Sequence, residues 1–195
     1  MADSPVANAS TAAHLALAQQ LSEQGSVLLK NAKAALPLTA KKSLKVALFG
    51  PTASSTATNG VSAKTICSLY ISAFFGSFNT MPCENLVSPE AGIRSVVETA
   101  GGTVTWDAGT DPAAAAAQAA QADVAIVFGY QRMGEFSDLA NLSLQGNGDA
   151  LIAAVAGAAK KTVVVLHTGS AVEMPWLSKV DSVLETWYPG DEMGT

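Results

Sequence analysis

The most constraining feature of this chain is a set of short, unbroken apolar runs. They are "LKVALFG" (residues 44–50), "DVAIVFG" (residues 123–129) and "TVVVLHTG" (residues 162–169). Each is rich in β-branched residues and lacks the alternation of a half-solvated strand, so each reads as a strand buried on both faces. Burial on both faces requires helices above and below, and helical segments lie between the runs. "SPEAGIRSVVETAGG" carries Ser88 as cap, Pro89 at the first helical position and glycines past its end. "DPAAAAAQAAQA" repeats that logic with Asp111 and Pro112, and "GNGDALIAAVAGAAKK" reads as a third helix. "TVTWDAG" and "VDSVLETWY" add two further strands. The alternation predicts an α/β fold, a three-layer α/β/α sandwich around a mainly parallel sheet of about five strands. Upstream, Thr11 or Ser10 caps a predicted helix running through "AAHLALAQQLSEQGSVLLKN", with Leu15, Ala18, Leu21 and Leu28 as its apolar stripe and Gly25 weakening its middle.

Composition narrows the partners. The 195 residues are 49% hydrophobic and 14% charged, which places the chain among globular domains. Net charge is −5, and the basic residues are scattered apart from Lys41-Lys42 and Lys160-Lys161. That argues against nucleic acid and against an anionic membrane surface as partners. No apolar stretch reaches the length of a membrane span. "MADSPVANAS" lacks the basic and apolar regions of a signal peptide, so residues 1–12 read as a flexible tail or a cut edge, and residues 13–195 as one domain. Cys67 and Cys83 stand in one irregular region. Two readings stay open: a bridge closing a loop of about 15 residues, adding roughly 3 kcal/mol, or two reduced thiols. The sequons at Asn8 and Asn141 do not decide the compartment.

Two stretches break the economy of the pattern. Residues 51–87 have no clear periodicity and hold both cysteines with Tyr70, Phe74, Phe75 and Phe78. Residues 130–145, "YQRMGEFSDLANLSLQ", follow the strand at 123–129 and place one glutamate, Glu135, after a glycine. Long loops inside compact domains are usually functional or disordered. Open parallel sheets gather ligands outside the carboxyl ends of their strands. Glu135 is therefore expected to face a site at that edge, against the bland alternative of a solvated loop glutamate.

Other chemistries find no support. G-x-G-x-x-G and G-x-x-x-x-G-K-[ST] are absent, and Pro51 stands where a phosphate loop needs a free N–H. G-x-S-x-G is absent too. No metal constellation and no cofactor are indicated. His14 reads as packed in its helix beside apolar residues. His167, ending "VVVLH" near the same edge as Glu135, reads first as packed and second as a polar lining of the site.

Five segments in order carry a family resemblance: "HLALAQQLSEQGSVLLKNAKAALPL", "KVALFGP", "VSPEAGI", "ADVAIVFGYQRMGEFSDLANLSLQGNGDALIAAVA" and "TVVVLHTGSAVEMPWLSKVDSVLETWYPGDEMG". Together they span residues 14–194 and resemble the C-terminal α/β sandwich domain of glycoside hydrolase family 3, the β-glucosidase family. The resemblance places Glu135 on that family's catalytic acid/base glutamate and Asp138 on the aspartate that follows it. Asp138, through the resemblance, and His167, through its place at the same sheet edge, are expected to contact substrate. Where the family commonly reads E-G-x-D-R, this chain has Phe136 for the glycine and Leu139 for the arginine. The family's glycine- and serine-rich loop after its first strand has no clean match in "ASSTATNGVSAKTIC".

The resemblance implies a retaining β-glucosidase acting on a β-glucoside or oligosaccharide. Such enzymes hold two carboxyl groups about 5–5.5 Å apart, one a nucleophile and one an acid and then a base. Met133 and Phe136 are apolar neighbours of the kind that raise a carboxyl pKa. In the family the nucleophile sits on a separate (β/α)₈ barrel, which is the partner expected here. The chain also ends at "DEMGT", where the family continues into a further helix and strand, so it reads as a fragment, a split product or a degenerate relative. The alternatives are a non-catalytic sugar-binding or interaction module built from that domain and, more weakly, a Rossmann-like nucleotide binder.

Overall fold

The computed structural model describes residues 11–67, 83, 85–133 and 138–195. Within them the elements run α1 (Ala12–Gly25), β1 (Val27–Asn31), β2 (Lys45–Phe49), α2 (Ala63–Cys67), α3 (Pro89–Thr99), β3 (Thr103–Asp107), α4 (Pro112–Ala119), β4 (Val124–Tyr130), α5 (Gly148–Ala158), β5 (Thr162–His167) and β6 (Ser182–Glu185). The strands form one sheet in the order β1-β6-β5-β4-β2-β3. All pairings are parallel except β1 with β6. The α/β sandwich expected from the apolar runs is present, with six strands rather than about five.

The caps read from sequence form as expected. Thr11 accepts from the His14 N–H, Ser88 from Ala91, and Asp111 from both Ala113 and Ala114. These side chains satisfy donors that a helix start leaves unpaired. One core lies under α4 and α5: Phe49, Ala115, Ala119, Val127, Ile152, Val155, Val164, Leu166, Trp176 and Val183. The other face packs Leu48, Val97, Val104, Ile126, Phe128 and Val163, with Ile93 of α3 against them. β4 is buried along its whole length, as a strand between two helical layers must be.

Two expectations are corrected. The first helix does not run to Asn31. It ends at Gly25, and residues 27–31 form the sixth strand, antiparallel to β6 with Leu28 opposite Leu184. Gly25 and Ser26 break the helix, and the free edge of β6 recruits the β-branched Val27 and its neighbours. Leu28 thus leaves the predicted helical stripe, and α1 buries none of its residues. His14 is exposed on that helix rather than packed among apolar residues. Among the described residues no helix is long and apolar enough to cross a membrane.

The strand order positions the site. From β2 the chain moves outward to β3 and then returns to pair β4 on the other flank of β2. This is a topological switch point, where connections leave in opposite directions and open a crevice at the strands' carboxyl ends. The segments after β2 and β4 flank it.

Candidate functional site

Four strand exits meet at this edge. After β2, Gly50 turns at φ 104, and a Cβ there would collide with the Phe128 carbonyl, so the turn requires glycine. Pro51–Ala53 then make one 3₁₀ turn that buries Thr52. The Thr52 hydroxyl lies 3.0 Å from His167 Nδ1 at the end of β5. Phe128 stacks obliquely on the same imidazole, with ring centres 5.7 Å apart. His167 is 1% exposed, and burial pushes its pKa down to about 4, so the ring is neutral at pH 7. These atoms match the packed half of the reading of His167: the ring forms the floor beneath the edge.

The loop after β4 is tied at its neck. The Gln131 N–H donates to the His167 carbonyl at 3.1 Å, extending the sheet by one residue. Gln145 brackets Arg132: its Oε1 accepts the Arg132 N–H at 3.0 Å and its Nε2 donates to the Arg132 carbonyl at 3.2 Å. The Gln145 N–H donates to Tyr130 O at 3.0 Å. Fully buried Gln131 donates from Nε2 to the Ser143 carbonyl at 3.2 Å. On the far side the Glu173 N–H donates to Leu142 O at 2.9 Å, and Asp149 receives both the Leu144 N–H and the Trp176 indole N–H. Asp138 is exposed on this loop. Glu135 lies outside the described residues, and its neighbours Arg132 and Asp138 bracket the span that holds it.

β5 and β6 supply the remaining wall. Glu185, 5% exposed, accepts the Thr168 hydroxyl at 2.7 Å and the Trp187 N–H at 2.8 Å. Burial pushes its carboxyl pKa up, against hydrogen bonds that favour the charged form. Tyr188 donates its hydroxyl to the Gln131 carbonyl at 2.7 Å. Burial raises both Tyr188 and Tyr130 above the usual phenol value. Cys67 and Cys83 are joined as a disulfide, which settles the question the sequence left open. The Cys67 sulfur sits 3.0 Å from an Asp191 carboxylate oxygen, a close contact rather than a hydrogen bond, since a bridged sulfur carries no hydrogen.

The described edge is therefore a hydrogen-bonded frame of buried polar side chains and backbone groups around a loop stem. Such a frame suits a polar ligand held by hydrogen bonds.

The family model for the glycosyl hydrolase family 3 C-terminal domain matches residues 26–195. The chain belongs to that family. It is 33% identical over 190 residues to thermostable β-glucosidase B of Acetivibrio thermocellus, covering 93% of this chain and 23% of that protein. It is 30% identical over 194 residues to β-xylosidase/α-L-arabinofuranosidase 2 of Medicago sativa subsp. varia, covering 94% and 23%. Among solved structures, the β-D-glucoside glucohydrolase of Trichoderma reesei aligns with a TM-score of 0.76 at 26% identity, over 94% of this chain and 28% of that one. A family 3 β-glucosidase from Neurospora crassa aligns with a TM-score of 0.75 at 28% identity, over 94% and 23%. The chain thus spans less than a third of each of these proteins.

Sequence reasoning passed over Gln131, Gln145, Glu185 and Tyr188. For Glu185 a signal existed: one acid inside "SVLETWY", at a position where a buried strand has no use for charge.

Proposed function

We propose that this family 3 C-terminal domain supplies the general acid/base of a retaining β-glucosidase, with Glu135 in that role. The observation that carries the reading is the loop stem at the topological switch point. Arg132 and Gln145 are locked by reciprocal hydrogen bonds, Gln131 is tied to His167 and Ser143, and Glu135 follows four residues after Gln131. The loop that carries Glu135 in sequence thus leaves a strand buried on both faces at the edge where parallel sheets gather ligands. The carboxyl group protonates the departing glycosidic oxygen, and the resulting carboxylate then activates the water that releases the sugar. The nucleophile is proposed to come from a (β/α)₈ barrel partner, consistent with relatives more than three times as long. Exposed Asp138 is proposed to meet sugar hydroxyls. His167 is proposed to act on them from the floor, through the segments it holds in place.

The test is steady-state hydrolysis of an aryl β-glucoside by this chain joined to a matching barrel. Glu135→Ala should lower kcat by about 10²–10⁴-fold, the usual worth of a positioned acid/base. The smallest loss in the first chemical step is expected for leaving groups that need little protonation, and azide should partly restore turnover. Full activity in Glu135→Ala would overturn the assignment. The 195-residue chain by itself should turn over poorly, since the nucleophile is proposed to lie on the barrel.

A further inference from the structure

Glu185 is a buried carboxylate in none of the salt bridges found among the described residues. Burying a charge without a cation is costly, so its partners indicate what it does. Oε2 accepts the Thr168 hydroxyl, while Oε1 accepts the Trp187 N–H at 2.8 Å and the Thr168 N–H at 3.4 Å. Trp187 is held at φ 57, a conformation that bulky residues adopt only when their surroundings impose it. Its indole N–H is also fixed, donating to Gly25 O at 2.9 Å. The consequence appears at the next residue. Tyr188 turns inward, and its hydroxyl donates to the Gln131 carbonyl and takes a hydrogen bond from the Met133 N–H. Gly169 leaves the slot this needs: a Cβ there would sit 2.7 Å from the Tyr188 ring and 2.9 Å from Met133 Sδ.

We propose that Glu185 is a positioning residue for the Glu135 loop. By holding Trp187 in the left-handed region it aims Tyr188 at the backbone of residues 131–133, and so sets the direction in which the chain leaves β4 toward Glu135. The proposal rests on the acid/base reading of Glu135. A glutamine can replace the carboxylate here. Its Oε1 keeps both N–H donors, and its amide faces Thr168 Oγ1, which rotates to donate to the Ser170 carbonyl already 3.4 Å away.

The experiment uses the 195-residue chain labelled with carboxyl-¹³C glutamate. The Glu135 resonance is assigned by its loss in Glu135→Gln, and amide exchange is read over residues 131–133. Glu185→Ala should speed that exchange by about tenfold, the worth of one lost hydrogen bond, and displace the Glu135 titration midpoint. Tyr188→Phe should do both with β5 and β6 protected as before, which covers the case where Glu185→Ala does not fold. Glu185→Gln should restore wild-type values of both. Wild-type exchange in Tyr188→Phe would overturn the proposal at its own link. So would faster exchange with an unmoved Glu135 midpoint, which marks a structural part only. Unchanged hydrolysis by Glu135→Gln in the barrel-joined protein would instead overturn it at its premise, an outcome the exchange data cannot produce.

Discussion

The two ends of the sheet handle carboxylates in opposite ways. At the amino ends of the strands, Asp123 is partly exposed to solvent, accepting the Lys45 N–H at 3.0 Å and pairing with Lys160 at 3.1 Å. Those partners, the Lys45 N–H first and the Lys160 ammonium second, hold its pKa below the usual aspartate value. At the carboxyl ends, Glu185 is buried, meets hydroxyl and amide donors among the described residues, and is pushed up. The first arrangement clamps strands at little cost, because water stabilises the charge. The second gives up stability to fix a backbone path. Site-building edges commonly carry such a cost, and its location marks where the fold serves something other than its own stability.

The Cys67–Cys83 disulfide belongs to the carboxyl edge and should produce the largest effect. With a sequence separation of 16, its loss frees a loop whose closure is worth roughly 3 kcal/mol. Reduction should lower the urea midpoint by a corresponding amount, whereas substitutions at the amino ends should not. Alkylation before and after reduction, read by mass, reports the bridge. Two thiols alkylated without reductant, in protein made under oxidising conditions, would remove this term from the comparison.

His167 should come next. Its folded pKa of about 4 lies below the ordinary histidine value of 6.5, so the unfolded chain binds the proton more readily. Stability should therefore be full above pH 6.5 and decline as pH falls toward 4, by up to about 3 kcal/mol at 1.36 kcal/mol per pKa unit. His167→Gln, which keeps a polar atom for the Thr52 hydroxyl, should flatten that slope while lowering stability at neutral pH. Urea unfolding across this pH range separates the two. An unchanged slope in the variant would assign the acid sensitivity to another group.

Glu185→Gln should have a smaller effect with the reverse pH dependence. A carboxyl whose folded pKa is raised binds protons more readily in the folded state, so its penalty grows as pH rises above the ordinary 4.5. The variant should be no more than about 1 kcal/mol away from wild type at acid pH and should gain on it toward neutrality. A variant that loses ground as pH rises would mean the carboxylate is a net stabiliser, like Asp123.

Much of this architecture can be read in the chain because its signals are local. "DVAIVFG" is apolar on both faces because β4 is buried on both, and Ser88-Pro89 and Asp111-Pro112 cap helices that begin where they stand. β1 escapes such reading. Val27, Leu28 and Leu29 stay 42–50% exposed, and only pairing with β6, more than 150 residues away, makes them a strand. The same distance hides most of the site. Tyr188 acts on Gln131 across 57 residues, and His167 meets Thr52 across 115. No spacing rule connects such pairs. Glu135 could be singled out through the resemblance and its place after β4, because a lone carboxyl group has no periodicity of its own.

The smallest effect is expected at Asp123, and its sign matters more than its size. A pKa held below 3.8 means that the ionised group favours the fold, with that contribution present above the ordinary aspartate value and lost as pH falls through the folded one. In Asp123→Asn the carboxamide oxygen can still accept the Lys45 N–H, but its NH₂ then faces the Lys160 ammonium, so the ion pair goes and the hydrogen bond to Lys45 stays. Exposed pairs of this kind contribute little and are screened by salt, whose Debye length falls to about 3 Å at 1 M. Asp123→Asn should therefore be slightly destabilised at neutral pH and low salt, and the difference from wild type should vanish at high salt. Glu185→Gln, being buried, should keep its difference at both ionic strengths. Parallel urea titrations at two salt concentrations make the contrast directly visible. If the two variants shift stability in the same direction, and salt erases both shifts, then the carboxyl edge is no more specialised than the amino edge.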